Sequence, residues 1–304
     1  MPPRTSMVNM LFGISAQAHL LPVAIFLAML TVGMELRVAQ FRDLARNPAI
    51  PLKATLIHTL TFPALAVLAV LTVLWMDWPV AEVTILGVLL IAACPSGGFS
   101  NILTLMARAN LPLSITLTAI SSVFSMLTVP LLMTFFGLLL TQMQGSVGIP
   151  IGSILTQLAL LVLLPIGAGM FLSAKLSSVT DARMKRWQSQ TQLLLYVVIA
   201  LQILENWELM TQWFVPALPW SVGLCAGNIA ACYGLANLSG LNQEDAITVA
   251  LEGSIRNLGV AFLIAANTME RMDIAVLPTA YFLTVLVISI LFAKNWRRLP
   301  GFQA

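Results

Sequence analysis

Apolar residues run along the chain in nine long blocks separated by short polar turns, at residues 17–36, 49–75, 82–107, 112–142, 149–175, 191–206, 214–238, 243–269 and 274–293. The blocks are close to the length of about 20 apolar residues that a helix needs to cross a bilayer. Two of them are interrupted. The third holds Cys94-Pro95-Ser96-Gly97-Gly98-Phe99-Ser100-Asn101 between two apolar runs, and the eighth holds Glu252-Gly253-Ser254-Ile255-Arg256-Asn257-Leu258-Gly259. Proline removes a backbone donor and glycine gives a helix no support, so neither block runs on as a smooth helix. Broken backbone survives in a bilayer only where protein buries it or it lines a cavity, and secondary transporters hold ions and substrates at such breaks. The interrupted blocks are five apart and therefore run in opposite directions, as an inverted-topology repeat produces. Blocks one to four repeat as six to nine, and block five lacks a partner. The pattern predicts an all-α polytopic membrane protein of about nine transmembrane helices, with an inverted repeat and two crossing broken helices.

Composition leaves no room for a sizeable soluble domain. The 304 residues are 59% apolar and 9% charged, with mean hydropathy +0.93, against about 45–50% and about 25% in soluble domains. Residues 1–304 are expected to form a single membrane domain in the lipid bilayer. Of the 15 Lys and Arg residues, Arg37, Arg42, Arg46, Lys53, Arg108, Lys175, Arg183, Lys185, Arg186, Lys294, Arg297 and Arg298 fall on one side. Arg4 and Arg271 fall on the other, and Arg256 lies within a span. The positive-inside rule then puts the N-terminus outside and the C-terminus in the cytoplasm. Trp75, Trp78, Trp207, Trp213, Trp220 and Trp296 lie near span ends, as an aromatic belt requires. No basic patch suits nucleic acid. Cys94, Cys225 and Cys232 lie in apolar runs with neither disulfide nor zinc spacing. His19 and His58 form no metal motif, and no nucleophile–base pair suggests an enzyme. The start of the chain loosely imitates a signal peptide, but its apolar run is too short and continues to Met34. Nothing suggests organelle targeting, so a bacterial inner (plasma) membrane is expected.

Candidate chemistry gathers at the breaks. An ionisable residue inside a span is a functional candidate by default, and Glu252 and Arg256 both qualify. The bland reading is a self-neutralising pair at i,i+4. Glu252 offers an anionic oxygen, and Ser100, Asn101, Ser114 and Thr118 offer neutral ones. Ser114 and Thr118 are four apart and share a helix face. Hard cations favour all-oxygen shells of this kind. Half-helix N-termini at the breaks attract an anionic substrate.

These residues resemble the bile acid:sodium symporter family. The resemblance runs from about Gly33 to Phe292. It is carried by Leu30-Thr31-Val32-Gly33-Met34-Glu35-Leu36, by Asn47-Pro48 with Pro63 downstream, and by Cys94 to Asn101. Ala107-Arg108-Ala109-Asn110, Leu113 to Thr118, and Glu252, Asn257 and Gly259 carry it further. It implies a panel part, about 17–36 and 149–206, and a core part, about 49–142 and 214–293, that holds the broken helices. Some members of the family lack the first of ten spans, and this chain is expected to be one of them. The resemblance implies sodium-coupled uptake of a small organic anion. One sodium ion is expected at Ser100, Asn101, Ser114, Thr118 and Glu252, and substrate at Gly97, Gly98, Phe99, Asn257 and Leu258. Where the family's second sodium site has two glutamines, this chain has His58 and Arg256. A guanidinium has no acceptor for sodium, so the second ion site is expected to be altered, with Arg256 as a fixed charge. Gly98 stands where a small hydroxyl residue is common.

Other readings stay open. Arg256 suits bidentate contact with a substrate carboxylate. His58, whose ordinary pKa is about 6.5, suits proton coupling, although a buried, hydrogen-bonded histidine is the preferred reading. Cys94 keeps alive an exporter like the related arsenite efflux carriers, and a receptor or scaffold retaining the fold is a third class. Substrate identity and oligomeric state are not legible in the chain.

Overall fold

The computed structural model describes residues 16–35, 48–144, 150–175 and 181–298, which are helical nearly throughout, with one isolated β-bridge and no strand. Arg4, Leu36, Arg37, Arg42, Arg46 and Asn47, on which orientation and resemblance drew, lie outside the described residues. So do the side chains of His19, Glu35, Lys185 and Arg298.

The first two apolar blocks form α1 (Ala16–Glu35) and α2 (Ala49–Trp75). The third divides into α3 (Glu82–Ala93) and α4 (Phe99–Ala107). Helix α5 (Leu111–Gln144) bends by 58° between Leu111–Ser125 and Leu127–Leu138. Pro130 accounts for the bend, since it cannot donate to the carbonyl of residue 126 and crowds it. The fifth block is α6 (Ile151–Leu158) and α7 (Leu164–Lys175), joined by a π-helical turn, Ala159–Leu163. The ladder widens there just ahead of Pro165, which lacks the next N–H. Helices α8 (Asp181–Glu205) and α9 (Trp207–Leu238) follow. The eighth block divides into α10 (Gln243–Ser254) and α11 (Leu258–Phe262), the latter widening into a π turn, Leu263–Thr268. A 3-10 turn, Met272–Ala275, leads into α12 (Val276–Asn295).

Two helices are longer than hydropathy predicts. Helix α8 begins at Asp181 rather than 191, and α9 at Trp207 rather than 214. The first turn of α8 is polar and that of α9 mixes Glu208 with Trp207, Leu209 and Met210, and both contain good helix formers, so the helices extend beyond the apolar stretches. The second break is narrower than its glycines suggest, because Gly253 is still helical. Four helices among the described residues are long and apolar enough to cross a bilayer alone, and α5 makes five when its bent halves count as one. The remaining apolar helices are shorter pieces, such as Glu82–Ala93 and Leu258–Thr268.

Helix α1 packs along α7 and α8. The first contact is backbone to backbone: a Cβ on Gly33 would overlap the Ile166 carbonyl, and one on Gly169 would overlap the Leu30 carbonyl. Thr31 and Thr191 share a 2.8 Å hydroxyl contact between α1 and α8. Helices α2, α3, α4, α5, α9, α10 and α12 pack among themselves, with α10 against α2, α4, α5 and α9. The two groups touch where α1 and α8 meet α11 and where α8 meets α9, and α5 also packs against α6 and the π turn at Ala159–Leu163.

Trp75, Trp78 and Trp207 are exposed as a belt requires, but Trp296 is buried. Its indole donates to the Ala107 carbonyl at 3.0 Å, satisfying one of the unpaired carbonyls at the end of α4. In the turn before α12, Arg271 forms a bidentate clasp on Asp273 and reaches Glu82 at 3.5 Å. That guanidinium holds the Asp273 carboxyl below its ordinary value.

Candidate functional site

The two breaks cross. Ser96 and Arg256 form an antiparallel bridge. Gly97 N–H donates to the Ile255 carbonyl at 3.0 Å and Asn257 N–H to the Pro95 carbonyl at 2.9 Å. Each unwound strand thus satisfies the other's backbone, as buried non-helical chain must. Cys94 and Ile255 are extended, with ψ of 145° and 113°, and Pro95 imposes this on Cys94. Gly97 permits the approach, since a Cβ there would lie 3.1 Å from the Arg256 carbonyl oxygen. Ser121, on α5, accepts from the Ser96 N–H at 3.0 Å. Tyr281, on α12, donates to the Ser254 carbonyl at 2.7 Å, at the end of α10. Helices α4 and α11 start from the crossing. Asn257 caps α11 through the Val260 N–H at 3.2 Å.

Below the crossing, the five oxygen-bearing residues meet. Thr118 donates to one Glu252 oxygen at 2.6 Å, and Ser114 lies 3.0 Å from the other. Ser114 Oγ is also 2.8 Å from Asn101 Oδ1, and Thr104 donates to it at 3.2 Å. Ser100 Oγ donates to the Gly97 carbonyl at 2.9 Å and lies 3.5 Å from Thr118 Oγ1. Ser114 has one hydroxyl proton and two oxygen acceptors in reach, so the cluster has more acceptors than protons. Ser100, Ser114 and Glu252 are fully buried and Thr118 is buried. No cationic side chain lies within ion-pair distance of Glu252 among the described residues. A buried carboxylate without a counter-charge is costly.

The i,i+4 pair is therefore not formed. Arg256 turns away and donates to the Cys94 carbonyl at 3.0 Å and the His58 carbonyl at 3.3 Å. Its guanidinium lies 4.5 Å over the Phe62 ring, a favourable cation–π distance. The extended backbone at Ile255 is the reason, because it takes Arg256 off the face that carries Glu252. His58 also departs from expectation. It is fully buried, but neither ring nitrogen has a hydrogen-bond partner among the described residues.

Gly97, Gly98, Phe99, Asn257 and Leu258 all line one narrow cleft of about 20 Å³ at the crossing. Gly98 and Phe99 also border a neighbouring cavity of about 270 Å³ that extends between α4, the start of α5 and α8, reaching Gln192 and Tyr196. The N-termini of α4 and α11 flank the cleft, so its polarity favours an anion. Cys94 is buried with its thiol on the Leu90 carbonyl at 3.3 Å. Sequence reasoning missed Ser121, Tyr281, Gln192 and Tyr196. Ser121 lies on the helix face of Ser114 and Thr118, a signal that periodicity could have found. The others are brought in by tertiary packing alone.

The profile of the sodium bile acid symporter family matches residues 22–213. The match takes in the first break, Ser100, Asn101, Ser114 and Thr118, and ends before Glu252. Human sodium/bile acid cotransporter 4 is 28% identical over 239 residues, 77% of this chain and 53% of its own length. The human ileal sodium/bile acid cotransporter is 23% identical over 218 residues, 67% of this chain and 59% of its own length. The uncharacterized sodium-dependent transporter YocS of Bacillus subtilis is 24% identical over 265 residues, 86% of this chain and 78% of its own length. The chain spans about half the length of the first of these relatives.

Proposed function

The chain belongs to the sodium bile acid symporter family, and on that premise we propose that it is a secondary active transporter that couples sodium entry to uptake of a small organic anion. One observation carries the reading: Glu252 is fully buried among four neutral oxygen-bearing side chains with no cationic partner among the described residues. A hard cation supplies the missing charge and uses the surplus acceptors. Ser100, Asn101, Ser114, Thr118 and Glu252 hold one sodium ion, which ties α4, α5 and α10 together and orders the crossing beside them. The anion binds in the cleft at Gly97, Gly98, Phe99, Asn257 and Leu258, between the starts of α4 and α11. Each ligand binds more tightly once the other has ordered the crossing, so they need not touch. The core part, about 49–142 and 214–293, then moves against the panel part, about 17–36 and 149–206, in alternating access. His58 and Arg256 stand at an altered second ion position, where the guanidinium serves as a fixed charge. The protein sits in a bacterial inner membrane with its N-terminus outside. Transport is the expected activity, rather than enzymatic turnover.

The test is a sodium titration of purified protein against choline at constant ionic strength, read by thermal melting. Sodium at 100 times its Kd stabilises the wild type by about 2.7 kcal/mol, and Glu252→Gln removes the response. A full response in the variant sinks the site. A second reading follows from the same carboxylate, since a proton also neutralises it. Stabilisation that depends on pH and ignores sodium selects proton coupling.

A further inference from the structure

We propose that Asn110 and Asp245 are a positioning pair that holds α5 and α10 in register and so sets the sodium affinity of the oxygen cluster. The inference rests on the sodium reading above. Asn110 is the N-cap of α5, its Oδ1 accepting from the Leu113 N–H at 3.1 Å. Its Nδ2 reaches across to Asp245 Oδ1 at 2.7 Å. Asp245 lies in the first turn of α10, and that helix has its own cap: Asn242 accepts from the Asp245 N–H at 2.9 Å and donates to Asp245 Oδ2 at 2.9 Å. A second tie runs from the Asn110 N–H to Thr248 Oγ1 at 3.0 Å.

Asp245 is 2% exposed, and no cationic side chain pairs with it among the described residues. Asn242 already caps α10, so local helix chemistry does not require this carboxylate to be buried against another helix. What the burial achieves is a charge-assisted bond between two helix starts. The two helices leave that bond running in the same direction. Asn110, Ser114 and Thr118 form one stripe on α5, and Asp245, Thr248 and Glu252 form one stripe on α10. At a rise of about 1.5 Å per residue, the midpoint of Ser114 and Thr118 lies about 9 Å beyond Asn110, and Glu252 lies about 10 Å beyond Asp245. The clamp and the ion cluster are therefore two rungs of one ladder. A slip of one residue at the clamp moves Glu252 out from between Ser114 and Thr118, whose contacts with it are 3.0 and 2.6 Å. Neither residue touches the ion position; both act through the helices that carry its ligands. Groups that orient metal ligands from behind typically change affinity by about 10–100-fold when removed.

The experiment uses the full purified chain and sodium itself as probe, with radiolabelled-sodium binding and thermal melting titrated against choline. The variants are Asp245→Ala, Asn110→Ala, and the exchanged pair Asn110→Asp with Asp245→Asn, which reverses donor and acceptor but keeps the bond. Each single variant is expected to raise half-saturating sodium by about tenfold or more while the sodium bound per protein at saturation stays the same. The exchanged pair is expected to return towards wild-type affinity. Single variants with wild-type half-saturation overturn the proposal, as does an exchanged pair no better than either single. Should the single variants fail to fold, the exchanged pair decides alone: wild-type affinity supports the clamp and weakened affinity overturns it. A wild type with no saturable sodium response, indistinguishable from Glu252→Gln, overturns the sodium reading and this inference with it. That result differs from failure of the clamp alone, in which wild type and single variants bind sodium equally well.

Discussion

Glu252 and Arg256 are four residues apart and opposite in charge, yet they serve different parts of the crossing. In an unbroken helix they would meet and cancel. Here the extended residue between them, Ile255 with ψ of 113°, sends the guanidinium to the carbonyls of Cys94 and His58. Cys94 follows the last residue of α3, where carbonyls lack helical partners and the helix dipole is negative. A cation is favoured there, and Arg256 supplies one covalently. Arg256→Gln removes the charge and leaves a shorter side chain among oxygen acceptors. The expected outcome is lower thermal stability without sodium, and a sodium titration that changes from one saturable site to two. A titration of unchanged single-site shape means that Arg256 does not replace an ion. Its outcome is separable from that of Glu252→Gln, which removes the first site as well.

At the scale of elements, the glycines on α1 and α7 do the work of a short interface. Gly33 and Gly169 let two backbones touch, and in a membrane such contact substitutes for the hydrophobic driving force that lipid cancels. Gly33→Ala and Gly169→Ala each push a methyl into a backbone carbonyl, which cannot give way as a side chain does. Overpacking of this kind costs about 1–3 kcal/mol, so both variants are expected to melt earlier in detergent. Gly98→Ala serves as the control, since no atom lies within 4 Å of a Cβ at that position. Equal melting of all three would mean that α1 and α7 do not rely on the close approach. Element boundaries were legible in the chain where a local rule governs them. Helix α2 has the predicted ends, and both breaks fall where Pro95, Gly97 and the Gly253–Gly259 segment put them. Boundaries set by other forces were not legible: α8 and α9 run beyond their apolar stretches because helix propensity does not stop where hydropathy does. The oxygen cluster was legible because Ser114 and Thr118 keep helical spacing and Glu252 stands out in an apolar run. The heading of Arg256, the burial of Trp296 and the Asn110–Asp245 bond depend on where an unwound or distant segment ends up, and periodicity carries no such information.

At the scale of the molecule, the cavities bear on which face of the cycle is open. The narrow cleft at the crossing shares Gly98, Phe99, Gln192 and Tyr196 with the 270 Å³ cavity between α4, the start of α5 and α8. That cavity lies towards the turn between α4 and α5, which carries Arg108, and the positive-inside rule assigns that turn to the cytoplasm. On the topology and substrate site proposed above, the cleft at the crossing is reached from the inside, and this arrangement is the inward-facing state of the proposed cycle. Leu105 lines this cavity and is 63% exposed, while Cys94, Cys225 and Cys232 are all buried. Leu105→Cys thus places a reactive thiol in the route over a low native background. A membrane-impermeant maleimide is expected to label it in inside-out vesicles and to leave right-side-out vesicles unlabelled. On the proposed sodium site, the labelling rate from the inside is also expected to change with sodium in the variant with Glu252 intact, and to ignore sodium once Glu252→Gln is added. Labelling only from the outside would reverse the orientation drawn from Lys and Arg. Inside labelling that ignores sodium in both backgrounds would keep the orientation while separating the oxygen cluster from the motion of the core against the panel.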